Sequence, residues 1–195
     1  MPRTNPARRT ALTDAGIDLL VSQGVHGLTH RAVERAAGLP AGTAANYFRS
    51  REELLVATAE RAVSLHLEAM GRIDRTLDVG SSPVPLADLV AASLEEALTT
   101  SRERYLAIFE LQLEARRRPA LAAALAELGS VAAAFTADEH GKLRLDVPSG
   151  ALGALIALYG GALFVLATGP DRIPPEAIRE IARAVVAGAS AVHGS

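Results

Sequence analysis

Apolar residues recur at helical intervals along nearly the whole chain. After Asn5-Pro6, an N-cap residue with proline at the first helical position, Leu12, Ala15, Leu19 and Leu20 repeat every three or four residues as far as Gly24. That spacing predicts a first helix. Gly24 to Leu28 reads as a turn, with Thr29 capping a short second helix over Arg31–Ala37 that stops at Gly38. Leu39 to Thr43 opens a third short helix, through about Phe48. The turn between the second and third is only a few residues long, as a helix-turn-helix requires. Ser50 and Glu53 form a capping box that launches a long fourth helix, whose stripe runs Leu55, Ala59, Ala62, Leu65, Ala69, Ile73 and Leu77 before Gly80-Ser81-Ser82-Pro83 ends it. Further helices are predicted from about Leu86 to Thr100, Arg102 to Arg117 and Pro119 to His140, with two more beginning near Ser149 and Pro175. No segment alternates with period two for long enough to form a strand, so the expectation is an all-α protein of about nine helices.

Composition narrows this. Of 195 residues 49% are hydrophobic but only 4% aromatic, so the core is aliphatic and suits helix packing. This content excludes a disordered chain. With no cysteine there is no disulfide framework, thiolate cluster or thiol nucleophile. The basic N-terminus runs into amphipathic sequence with Asp14 and Asp18 and does not read as a signal peptide, so a cytoplasmic location is expected.

A net charge of −2 gives no hint of nucleic acid, but the average conceals an asymmetry. Residues 1–51 hold seven arginines against three acids, a net +4, which leaves −6 on the remaining 144 residues. A basic head on an acidic body is a sign of nucleic-acid contact. A second anomaly is the uncharged run from Val147 to Pro170, long enough to be tested as a membrane span. It lacks basic flanks, since Asp146 and Asp171 stand at its edges, so no membrane partner is expected. A helix apolar all round needs cover on every face, and a second copy of the chain can provide it.

Residues 28–55 carry a recognisable pattern: Gly27, the Leu28-Thr29 helix start, the Ala37-Gly38 turn, Gly42-Thr43, Tyr47-Phe48 and Ser50-Arg51-Glu52-Glu53-Leu54. They resemble the DNA-binding segment of the tetracycline-repressor (TetR) family of bacterial transcription regulators. The resemblance is strong over about residues 8–65 and beyond that lies in layout. It implies a helix-turn-helix head, residues 1–50, and a helical ligand-binding and dimerisation domain, residues 51–195, whose last two long helices form a four-helix dimer interface.

The head then has candidate DNA contacts at Thr29, His30, Arg31, Ala41, Gly42, Thr43, Ala44, Asn46, Tyr47 and Arg51. Arg31 matches a guanine-reading position in the family, and its guanidinium suits O6 and N7 of that base, although a phosphate or solvent is an equal alternative. Thr29 is able to cap its helix and contact a phosphate with one hydroxyl. Thr43 and Tyr47 match positions that touch the DNA backbone or a base edge, and Arg51 a position that grips phosphate. Gly42 allows close backbone approach to a phosphate or serves as a turn glycine. Where the family commonly has Leu-Tyr this chain has Ala44-Ala45, leaving Ala41, Ala44 or Ala45 for thymine methyls and His30 or Asn46 for polar contacts. Arg3, Arg8 and Arg9 offer phosphate or minor-groove contacts or a solvated arm.

In the body, Tyr105, Phe109 and Gln112 are placed on one inward stripe with Ile108, and with His66, Met70 and Phe135 are the candidate lining of a largely apolar effector pocket, with plain core as the alternative. Leu152, Leu155, Ile156, Tyr159, Leu163, Ile178, Ile181 and Val185 are the candidate dimer interface. Arg116-Arg117-Arg118 reads as a solvated helix end. The five histidines are not expected to form a metal site, and no cofactor or enzyme fingerprint occurs. The expectation is a homodimeric repressor released from a palindromic double-stranded operator by an unknown small molecule. The alternative is a helical ligand-binding or interaction protein whose helix-turn-helix no longer reads DNA.

Overall fold

The computed structural model describes residues 5–76, 85–142, 150–169 and 172–191, the side chains of 70, 72–76, 135 and 139–142 excepted. Among these residues the chain forms eight α-helices and one 3-10 turn: α1 (Pro6–Gly27), α2 (His30–Ala36), the 3-10 turn (Ala44–Asn46), α3 (Arg51–Thr76), α4 (Leu86–Thr99), α5 (Arg102–Ala115), α6 (Pro119–Lys142), α7 (Ala151–Thr168) and α8 (Pro175–Ala191). The expectations for Arg3, for the Gly80–Pro83 helix end, for the side chains of Met70 and Phe135, and for His193 lie outside the described residues.

Local chemistry sets these boundaries. The Asn5 side chain accepts the N–H of Ala7 at 2.9 Å and Pro6 follows at the first helical position. Gly24 has φ +65°, a left-handed conformation that interrupts α1 where the apolar repeat stops. Thr29 Oγ1 accepts the Ala32 N–H at 3.2 Å, and Gly38, also at φ +65°, closes α2. Ser50 Oγ takes the Glu53 N–H at 3.1 Å, while Glu53 reaches back to the Arg49 N–H, so the capping box binds one residue earlier than its usual form. The expected third helix is a single 3-10 turn. It is bounded by Gly42, at φ +86°, and the buried Phe48, whose N–H donates to the Ala44 carbonyl at 2.9 Å.

Two compact units result, Met1–His66 with Glu103–Ser130, and Leu67–Arg102 with Val131–Ser195. In the first, Leu12, Leu20, Leu28, Val33, Phe48, Leu54 and Leu55 form one core with Ala107 and Leu111 of α5 and Leu121 of α6. Burying each such leucine contributes about 1.5–3 kcal/mol. This core continues past residue 50 into α3 and takes in part of α5 and α6.

The second unit packs α4, α7 and α8 on one another. Ile178, Ala182, Val185 and Ala189 supply the inner face of α8, and Ala151, Leu155, Leu163 and Ala167 that of α7. Tyr159 and Ser93 hydroxyls bond at 2.7 Å between α7 and α4. Arg102 donates to the Ala167 and Gly169 carbonyls at 2.9 and 2.8 Å, satisfying the C-terminal end of α7.

Candidate nucleic-acid interface

The helix-turn-helix is fixed by buried polar contacts. The Glu34 carboxylate, only 4% exposed, accepts the Ala44 N–H at 2.7 Å and so joins α2 to the 3-10 turn. The His30 imidazole donates through Nε2 to the Phe48 carbonyl at 2.8 Å. Thr43 donates its hydroxyl to the Pro40 carbonyl at 2.6 Å. Arg51, at the start of α3, donates through Nε to the Leu28 carbonyl at 2.9 Å and through Nη2 to that of Val25.

These contacts redistribute the expected roles. Ala44 is fully buried and cannot meet a thymine methyl. Thr43 is buried and its proton engaged, while His30 and Arg51 are directed at backbone carbonyls of their own chain, which makes them supports of the head. Sequence pattern could not separate these cases, because a helix-start arginine answers phosphate and carbonyl oxygen alike. Gly42 is exposed, and its φ of +86° accounts for the glycine without any phosphate. Thr29, Arg31, Ala41, Ala45 and Asn46 are exposed. Tyr47 is half-buried, and its hydroxyl accepts the Asn5 N–H at 3.1 Å while keeping its own proton to donate. Asn46 Nδ2 donates to the Gly42 carbonyl at 3.2 Å. Arg9 pairs with Glu60 at 3.1 Å and lies over the Phe48 ring, 5.7 Å from its centroid, so it belongs to the head's framework; Arg8 is exposed.

Glu34 was missed by the sequence reading. A signal existed: the basic head has three acids, and the structure gives Asp14 to Arg61 at 2.7 Å and Glu34 to Ala44. Against the expectation of histidines spaced far apart, His26 and His30 stand four residues apart. The break over Leu28-Thr29 separates them into different helices, and no group of three metal-binding side chains occurs among the described residues.

In the body, His66 Nδ1 and the Tyr105 hydroxyl lie 2.9 Å apart, with the two rings edge to face and Arg104 over the tyrosine ring at 5.2 Å. Burial first, and the Arg104 charge second, lower the His66 pKa to about 4, so its ring is neutral at physiological pH. Phe109 is half-buried on the same helix. Gln112 does not continue the inward stripe: it is exposed and lines an open groove of about 580 Å³ with Ala115, Arg116, Pro119 and Leu125. Seven residues from Tyr105 it falls on the same face of the helix, but that face is covered at Tyr105 and open at Gln112, so the neighbours at each level decide burial. Arg117 and Arg118 bond the buried Glu114 carboxylate at 3.0 and 2.5 Å, and Arg118 chiefly holds its pKa low.

Four of the expected dimer residues, Leu155, Leu163, Ile178 and Val185, are buried inside their own unit. Leu152, Tyr159 and Ile181 are half-buried. On an all-apolar helix, periodicity cannot say which face serves its own core. Ile156, the eighth, is exposed, and the outward face of α7 also presents Phe164 and Val165, the last 66% exposed, with Gly153 and Gly161 open to solvent.

Comparison with known proteins agrees with this layout. A family profile described as bacterial regulatory proteins, tetR family, matches residues 12–58. A second, described as tetracyclin repressor-like, C-terminal domain, matches residues 81–190. The multidrug binding protein EbrR, solved in complex with imidazole, is 32% identical over 95% of this chain and 94% of its own, with a TM-score of 0.66. A TetR-family member from Streptomyces coelicolor A3 is 30% identical over 93% and 99%, with a TM-score of 0.70. The HTH-type transcriptional regulator BetI of Rhizobium meliloti is 40% identical over 60 residues, 30% of each chain. The matches to curated relatives span about half of those proteins or less.

Proposed function

The chain belongs to the tetracycline-repressor (TetR) family of bacterial regulatory proteins, and on that premise we propose that it is a homodimeric, cytoplasmic repressor whose head binds a roughly palindromic operator and whose body releases it on binding a small molecule. The observation that carries this reading is the internally braced helix-turn-helix with Thr29, Arg31, Ala45 and Asn46 left exposed. A braced element presents side chains to a major groove about 12 Å wide without paying ordering entropy on contact. Arg31 is the base-reading candidate, while Thr29 and Tyr47 have hydroxyls suited to phosphate. Ala41 and Ala45 suit thymine methyls.

The outward face of α7 supports a dimer. Gly153, Ala157 and Gly161 fall every fourth residue on its exposed side, flanked by Ile156, Phe164 and Val165, a surface that admits close approach of a second helix. A second copy of the chain is the occupant this reading assigns. For the effector, the His66–Tyr105 pair offers hydrogen bonding between α3 and α5, with the Arg104 guanidinium over the tyrosine ring and Phe109 on the same helix. EbrR has been solved with imidazole and with ethidium, so organic compounds of that size are reasonable first probes.

The test is binding of the full chain to DNA fragments upstream of its own gene and its neighbours, against random fragments, across a salt series. Preferential, salt-sensitive binding that weakens with an added effector is the expected result. A chain that binds the effector but prefers no fragment would establish the second reading, a ligand-binding protein with a silent head. The small Ala44-Ala45 pair and the internal engagement of His30, Thr43 and Arg51 favour that alternative.

A further inference from the structure

The backbone of Val25 is held from two helices. Its N–H donates to Glu110 Oε1 of α5 at 3.2 Å, and its carbonyl accepts from Arg51 Nη2 of α3. The Val25 side chain is 4% exposed, so the residue is held on its apolar side as well. Gly24 beside it has φ +65°, and a Cβ there would stand 3.1 Å from Glu110 Oε1. The glycine thus meets two demands together, the turn and the approach of the carboxylate. Val25 lies four residues before Thr29, the cap of α2, in the turn that leads into the helix-turn-helix.

Glu110 touches none of the candidate DNA contacts, yet it grips the segment that aims them. Its helix also supplies Ala107 and Leu111 to the core of the head. On the same helix Tyr105, five residues and about 7.5 Å of helix rise away, bonds His66 of α3. α3 and α5 are therefore tied to each other at His66–Tyr105, and each reaches the Val25 backbone at another point, through Arg51 and Glu110.

We infer that Glu110 is a positioning residue for DNA recognition: its carboxylate, through the Val25 backbone, sets the angle of the reading head from α5. This rests on the DNA-binding reading above. It deepens that reading by naming the joint at which a displacement of α5 against α3 reaches α2. An effector that parts Tyr105 from His66 acts on the two helices that hold the Val25 backbone from either side.

The sign of the effect separates this role from simple charge. Removing an acid that stands against a DNA-binding head strengthens binding to phosphates if charge alone matters. Loss of a positioning bond weakens it. The experiment compares full-length wild type, Glu110→Gln and Glu110→Ala on the preferred fragment over a salt series, with thermal melting of each. Glu110→Ala is expected to bind about tenfold or more weakly, the contribution of one charge-assisted hydrogen bond, with the salt slope unchanged because no phosphate contact is lost. Glu110→Gln, whose amide oxygen still accepts the Val25 N–H, is expected to restore most of the affinity. Faster amide exchange at Val25 in Glu110→Ala, but not in Glu110→Gln, is the accompanying structural readout. If Glu110→Ala does not fold, Glu110→Asp withdraws the acceptor by one methylene at constant charge and carries the same expectation.

Wild-type affinity or tighter binding in a folded Glu110→Ala overturns the inference, as does an equal loss in the Gln and Ala variants. A wild-type chain that prefers no fragment overturns the DNA-binding reading and this inference with it. Those two failures are distinguished by the wild-type measurement alone.

Discussion

Glu34 holds Ala44: a carboxylate oxygen buried in the head accepts a backbone N–H at 2.7 Å and fixes the distance between α2 and the 3-10 turn. Glu34→Ala leaves that N–H buried and unpaired, at a cost of about 1–3 kcal/mol. Urea unfolding is expected to show a lower midpoint with an unchanged slope. Glu34→Gln, which keeps an acceptor, is expected to retain more than half of the lost stability. Equal midpoints for wild type and Glu34→Ala would refute the role.

His66 makes stability depend on pH. Its pKa is about 4 in the folded protein and 6.5 when exposed, so between these values the unfolded chain binds more protons. Its contribution is fully present above pH 6.5 and is lost as the pH falls through about 4, amounting to roughly 3 kcal/mol. Thermal melting from pH 7.5 to 4.5 is expected to be flatter in His66→Gln than in wild type. Parallel curves would count against a buried neutral imidazole.

Arg31 and Arg51 are expected to separate. Arg31→Ala relaxes the preference between operator variants by about 1–3 kcal/mol at one base pair if it reads guanine. Arg51→Ala instead lowers the melting temperature, because the Leu28 and Val25 carbonyls lose a donor, and leaves the salt slope in place. A slope reduced by about 0.9 in Arg51→Ala would identify a phosphate contact in place of a structural one.

The outward face of α7 predicts the oligomeric state. Val165→Glu with Phe164→Glu places two charges on the exposed strip, and sedimentation is expected to show a monomer that keeps its helical content. A dimer that persists at micromolar concentration would move the interface elsewhere.

Much of this was legible in the chain because helix caps are local. Asn5-Pro6, Thr29, Gly38 and Ser50 each satisfy a terminus with an atom a few residues away, so their spacing alone placed the helices. What escaped was long-range. Glu34 meets Ala44 and Glu110 meets Val25 through backbone N–H groups that have no side-chain identity, so no pairing of residue types announces them. Gln112 and the inner residues of α7 failed for a related reason: burial of a helix face is decided by its neighbours, not by the stripe. Burial also removes Ala44 and Thr43 from the surface, although both fall within the motif.

The presence of Ala107, Leu111 and Leu121 in the same core as Leu12, Leu28 and Leu55 bears on how such regulators exchange parts. A chimera that joined this head to a foreign body at residue 66 would open its interior where those three side chains had been. Grafts from this protein need the inner surface of α5 and the first turn of α6 in the same transplant, or a recipient whose helices present matching aliphatic residues. The unit of inheritance for operator choice is therefore larger than the motif that touches the operator.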